Sequence, residues 1–182
     1  MRLRELPLDQ MDDSQRKVAD AAIAGKRGRI PAPLRAWIHS PELGARAQLL
    51  GEFCRFDTTL GPRLSELAII IVARIWSSQF EWFAHKRDAL KAGLEIAIID
   101  AIANRQVPVL HDAKDQLVYD YVTTLNRDRT VSAGLHARAV AVLGERGVVE
   151  LVGVAGYYTL VAMTLNAFEI GLPDGEISDL PA

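Results

Sequence analysis

The chain has 182 residues, 49% of them apolar and 24% charged, enough to bury one sizeable core and too apolar for a disordered segment. Its formal net charge of −2 supplies no overall positive field to draw it to nucleic acid. A single cysteine, Cys54, excludes an intrachain disulfide and gives no sign of an oxidising compartment.

The first residues, Met1-Arg2-Leu3-Arg4-Glu5, lack the apolar run of a signal peptide. The longest apolar run, residues 67–73, is too short to span a bilayer. The chain reads as one cytoplasmic domain over residues 1–182, with no membrane or nucleic-acid partner.

In chain order, a helix is predicted over Asp13–Ala24, with Gly25 placed to end it. Lys26-Arg27-Gly28-Arg29, the densest basic cluster, reads as a solvated loop. Ile30-Pro31-Ala32-Pro33 reads as a stiff extended connector, because neither proline suits a helix interior. Ser40-Pro41-Glu42 is a strong helix start: a capping hydroxyl, proline at the first position and an acid in the first turn. That helix should reach about Phe56.

Gly61-Pro62 opens the next segment, residues 64–75, whose centre Ala68-Ile69-Ile70-Ile71-Val72-Ala73 is apolar and β-branched. Periodicity alone does not separate a buried strand from a buried helix here. The helical pattern of its neighbours and the lack of a partner strand favour a central helix, apolar all round. Ser77 or Ser78 can cap a further helix through Lys91, ended by Gly93. Residues 94–104 read as a short helix and 111–128 as a longer one. Ser132 can cap residues 133–143, and 148–168 form a second buried helix before a polar tail. The fold class is all-α.

The stretch from Glu66 to Asp88 carries the candidate chemistry. Glu81 and His85 are four residues apart and share a helix face. A short turn near Ser77 would fold their helix back antiparallel on the one headed by Glu66. An imidazole beside carboxylates is what acid–base catalysis needs. The same residue types also serve as helix-start acids and as satisfied core histidines. As metal ligands the trio has the wrong spacing: Glu-to-His is four, not the three of di-iron bundles, and no second such motif exists, so no metal is expected. His39, His111 and His136 stand at helix edges and look structural.

Glu66, Ser78, Glu81 and His85, in this order and spacing, resemble the active-site frame of the alkylhydroperoxidase-D and carboxymuconolactone decarboxylase superfamily. In its peroxidase branch a glutamate precedes a C-x-x-C pair and a histidine; here Ser78 and Glu81 stand at the cysteine positions. Ser65-Glu66-Leu67, the run Gln79-Phe80-Glu81-Trp82-Phe83-Ala84-His85, and G-Y-Y-T-L-V-A-M-T-L-N-A-F-E at 156–169 are similar to the decarboxylase-like branch. The resemblance covers about residues 35–175, leaving an N-terminal helix and connector at about 1–34.

It implies a compact multi-helix bundle of the alkylhydroperoxidase-D-like type, a homo-oligomer (trimer or hexamer), and a cofactor-free lyase or isomerase acting on a small carboxylated lactone or related metabolite. His85 would donate a proton to carbon after carbon dioxide leaves, with Glu81 or Glu66 orienting it. Ser78, Trp82 and Arg74 are the candidate substrate contacts, with Arg87 as another cation for a carboxylate. The alternative is an oligomeric small-molecule-binding or stress-associated protein that keeps the fold without turnover. Thiol peroxidase chemistry needs an activated thiolate and a resolving thiol, which serine and glutamate do not supply.

Overall fold

The computed structural model describes residues 1–181 and contains eight helices, with no strand among the described residues: α1 Asp13–Ala24, α2 Leu34–Trp37, α3 Pro41–Phe56, α4 Gly61–Ile75, α5 Gln79–Lys91, α6 Ile96–Ala103, α7 Ala113–Asp128 and α8 Ala133–Ala167. Helix α1 begins with a reciprocal capping box between Asp12 and Gln15 and ends at Gly25. The connector that follows is only partly extended. Pro33 adopts helical angles and stands at the N-cap of the short α2, a position its missing N–H does not harm. Ser40 occupies the N-cap of α3 but its hydroxyl makes no capping bond, so the fixed φ of Pro41 does the starting.

Helix α4 is the centre of the molecule. Every residue from Leu64 to Arg74 is buried, and α3, α5, α6, α7 and α8 all pack against it. The β-branched run therefore becomes helix rather than strand. Burial on every side rewards apolar side chains at every position, and tertiary packing outweighs the weak strand preference of isoleucine and valine. Gly61, with φ near +75°, turns the chain into this helix, and Pro62 follows at its first turn.

The hairpin from α4 to α5 closes through Ser77, which adopts a left-handed conformation (φ 47°). The Ser78 N–H returns to the Ala73 carbonyl at 2.9 Å. The Ser77 hydroxyl accepts from Arg74 and Arg105 at 3.4 and 3.2 Å. Ser78 holds the N-cap position of α5, yet its hydroxyl is buried without a hydrogen-bond partner among the described residues. Its expected capping bond is not made.

Helices α6 and α7 start two residues later than the sequence suggests. The α7 start is fixed by Asp112, whose side chain accepts from the N–H groups of Lys114 and Asp115. The two helices read at 133–143 and 148–168 are joined through Gly144, whose backbone (φ 72°, ψ 165°) leaves the helical region inside α8. Helix α8 has the length and apolar content of a membrane-crossing helix, but most of its apolar window is buried in this fold, as in the core helix of a bundle. Glu150 of α8 is buried and accepts from the Thr59 N–H and hydroxyl, both at 2.6 Å, which ties α8 to the entrance of α4.

The tail after α8 reads from sequence as a polar end, yet it packs. Asp179 accepts from the Trp82 indole at 3.0 Å and pairs with Lys86. The Pro181 carbonyl accepts from Arg74 at 2.8 Å, and Leu180 is buried. The tail thus clasps the outer face of the α4–α5 hairpin.

A close approach of α3 to α8 occurs at Gly51. A Cβ built there would overlap the ring and hydroxyl of Tyr157 and touch Arg27. Gly51→Ala should therefore cost about 1–3 kcal/mol, despite the helix propensity gained by alanine. Urea unfolding measures this directly; an unchanged midpoint would mean that Tyr157 moves aside freely.

Candidate active site

The candidate residues meet where α5 crosses α4, beneath α3 and α8. Glu81, His85 and Asp88 lie on successive turns of α5. Glu66 sits in the second turn of α4, and Arg55 comes from the last turn of α3. Glu66 and His85 stand at similar distances from the Ser77 turn along their helices, so the hairpin brings them face to face. The His85 Nδ1 lies 2.7 Å from Glu66 Oε2, and both side chains are buried.

The second ring nitrogen has a different neighbour. Arg55 Nη1 lies 3.4 Å from His85 Nε2, while Nη2 pairs with Asp88. A guanidinium only donates, so Nε2 faces it as an acceptor. Glu66 only accepts when ionised, so Nδ1 carries the proton. The two contacts select the neutral tautomer with its lone pair on Nε2. Burial works against the Arg55 charge, but the electrostatic influence of Tyr158, Glu66 and Asp88 prevails and holds its pKa above the ordinary value. The His85 ring stands edge-to-face on Tyr158, centroids 4.9 Å apart, and Tyr158 stands likewise on Tyr157 at 5.2 Å.

Glu81 is 1% exposed, and neither of its carboxyl oxygens has a partner among the described residues. Burial first, and the nearby Glu66 carboxylate second, push its pKa well above the usual carboxylate range. Both effects favour its protonated form. The Tyr158 hydroxyl is likewise buried without a partner, and burial raises its pKa strongly. Tyr157 is pushed up to about 12, chiefly by burial.

A cavity of about 410 Å³ opens over these groups. Glu81, His85, Tyr157 and Tyr158 form its floor, with Phe80, Phe83, Val161 and Leu165 as apolar walls. Its lining also contains Lys26, Arg27, Arg29, Arg35, Arg55 and Arg87, against Glu81 as the sole acid. Lys26 pairs with Asp57 and Arg35 with Glu5, and Arg27 donates to the Gly51 carbonyl at 2.9 Å. Arg29 and Arg87 have no such partner among the described residues. The basic cluster at 26–29, expected as a plain solvated loop, is indeed largely exposed but stands at the cavity mouth. A larger surface depression of about 790 Å³, between α7 and the first half of α8, holds none of the candidate residues.

Of the residues singled out from sequence, the structure brings Glu66, Glu81 and His85 together. Ser78, Trp82 and Arg74 do not line the cavity. Ser78 and Trp82 are fully buried, Trp82 is bonded to the tail, and Arg74 donates to the tail and to Ser77. Trp82 therefore holds α5 against the tail instead of walling a pocket. Arg55 and Asp88 escaped the sequence reading. Asp88 does continue the Glu81/His85 face, one turn further on, but Arg55 is distant in sequence and no local pattern marks it. Cys54 is buried, and its pKa is pushed up to about 11, mainly by burial, which keeps the thiol protonated.

Glu66, His85 and Asp88 offer ligand atoms within 4.8 Å of one another, a grouping compatible with a metal ion. The Arg55 guanidinium already engages two of the three. A metal entering there would have to displace the Arg55 guanidinium.

No protein-family model and no curated protein matches the chain. Among solved structures it is similar to the crystal structure of an uncharacterized peroxidase-related protein from Silicibacter sp. TM1040. The two share 16% identity with a TM-score of 0.74, over 96% of this chain and 92% of that chain. At this identity the likeness is one of fold alone, and the all-α multi-helix bundle agrees with the fold class expected from the sequence.

The state of Glu81 has a measurable consequence. Its pKa is raised in the folded chain above the unfolded value of about 4.5, so its contribution to stability is fully present below that value. It is lost as pH rises towards the folded pKa. Glu81→Gln keeps the neutral shape and cannot ionise. The variant should gain stability relative to wild type as pH increases from 5 to 8, measured by chemical denaturation. A gap independent of pH would show that Glu81 ionises normally in the folded state.

Proposed function

We propose that this chain is a cofactor-free lyase or isomerase that moves protons on a small carboxylated substrate, chemistry of the kind that the resemblance to carboxymuconolactone decarboxylases implies. The observation that carries this reading is the pairing, at one cavity, of a buried carboxyl whose ionisation is opposed by burial with an imidazole whose Nδ1 is held by Glu66 and whose Nε2 faces Arg55. An acid that keeps its proton beside a base oriented to take one is the arrangement that general acid–base catalysis requires.

In this reading Glu81 is the acid. It returns a proton to the carbanionic carbon left when carbon dioxide departs, or to the far carbon in a double-bond shift. In the double-bond shift His85 Nε2 is the base that removes a proton from the near carbon, and Glu66 stabilises the imidazolium that forms. Solvent exchange then takes that proton from His85 and restores the one on Glu81; in the decarboxylation Glu81 regains its proton from solvent. This reverses the roles expected from sequence, where His85 was the donor. The unpartnered Arg29 and Arg87 suit a substrate carboxylate, and the apolar walls suit an unsaturated ring or chain. A buried, doubly contacted His85 fits turnover better than passive binding of a metabolite. The thiol peroxidase reading lacks support: Cys54 is protonated and buried, and Ser78 and Glu81 stand where the cysteine pair would be.

We also propose a homo-oligomer of three or six subunits. Leu49, Leu50 and Phe53 on α3, and Val149, Val152 and Met163 on α8, are exposed apolar side chains for which the isolated chain offers no cover.

If His85 is the base, His85→Gln should preserve fold and lower turnover roughly a hundredfold or more. The assay follows a screen of carboxylated γ-lactones and β-keto acids; a variant matching wild type on a substrate that wild type converts would remove His85 from the mechanism. Light scattering at micromolar concentration should give at least three subunits, and a monomer would count against the assembly.

A further inference from the structure

Arg55 is placed to do two things that exclude each other in time. Its Nη1 faces the lone pair of His85 Nε2, the atom that must accept a proton if the imidazole is to act as a base. Its Nη2 is paired with Asp88, and the guanidinium also lies within reach of the cavity, 5.6 Å from the Phe56 ring centroid. While Nη1 donates to Nε2, that lone pair is occupied.

The contact to His85 is the weak one. At 3.4 Å it is well beyond the 2.9–3.0 Å typical of a good N–H···O or N–H···N bond. A carboxylate offers the guanidinium two parallel charge-assisted bonds in matching geometry. Asp88 would not be stranded by a shift of Arg55, since Lys91 Nζ lies 3.9 Å from its other oxygen. Arg55 and Asp88 are both partly exposed, so the pair can rearrange without opening the core.

We propose that Arg55 is the carboxylate anchor of this cavity and that capture of the anion draws it off His85 Nε2, so that the base is uncapped only when substrate is present. This rests on the acid–base reading of the cavity. In that reading Arg55 touches substrate, while Asp88 is a positioning residue that holds Arg55 ready and competes with the substrate for it.

The test uses simple carboxylates, acetate and glutarate, titrated into the full-length protein. Binding is followed by calorimetry and the His85 ring by nitrogen NMR. In wild type the Nε2 resonance should move, saturating together with binding. Arg55→Gln should weaken binding about tenfold or more, the scale of losing a charge-assisted hydrogen bond, and should abolish the carboxylate-induced movement of Nε2. Arg55→Lys keeps the charge without the fork and should also bind more weakly. Asp88→Asn removes the competitor and should bind carboxylate several-fold more tightly than wild type.

A purely structural ion pair predicts something else: Arg55→Gln and Asp88→Asn would both lower the melting temperature and leave carboxylate affinity unchanged. That result overturns the proposal, as does a wild type with no saturable carboxylate binding or an unmoved Nε2. The two readings fail separately. Anion-dependent uncapping without turnover of any substrate would sink the enzyme reading and leave the switch standing. Turnover by Arg55→Gln with unchanged KM and kcat would sink the switch and leave the acid–base site.

Discussion

Two carboxyl groups share the dry junction between α4 and α5, and only one of them has a bonded partner. Glu66 holds the proton of His85 Nδ1 at 2.7 Å. Glu81 has neither cation nor donor among the described residues, and both burial and Glu66 oppose its ionisation. Placing two negative charges in a low-dielectric region is costly, which favours the protonated form of Glu81. The raised pKa of Glu81 and the orientation of the His85 imidazole both follow from this asymmetry. A salt bridge to Glu81 would abolish it.

The scaffold is built to keep that junction dry and fixed. Helix α4 is buried on every side, so Glu66 has almost no route to solvent. The tail clasps Trp82 and Lys86 on the outer face of α5 while Glu81 and His85 face inwards. Tyr157 and Tyr158 pack ring against ring up to His85, and the bare backbone of Gly51 leaves the space that Tyr157 fills. Six basic residues are among those that line the apolar-walled cavity. Such a lining attracts an anion.

Much of this architecture was legible in the sequence because it is local. Gly25 marked the end of α1, Pro41 the start of α3 and Ser132 the start of α8. The Glu81/His85 spacing, with Glu66 across the hairpin, marked the three residues that the fold brings together. The β-branched run of α4 was decided by its surroundings rather than by its own propensity. What sequence could not show is long-range placement. Arg55 reaches His85 from a helix thirty residues earlier, and the basic loop at 26–29 looks like any solvated charge cluster until the fold sets it beside the cavity. Arg74 and Trp82 looked like site residues because they neighbour the motif. The tail, which reads as a polar end, supplies the partners that turn them to structural work.

The proposed acid–base chemistry requires Glu81 to be a neutral carboxyl in the folded protein at neutral pH. Infrared spectroscopy at pH 7, comparing wild type with Glu81→Gln, tests this most directly. A protonated-carboxyl C=O band present in wild type and absent from the variant is the predicted result. A difference spectrum showing only the loss of an ionised carboxylate would contradict it.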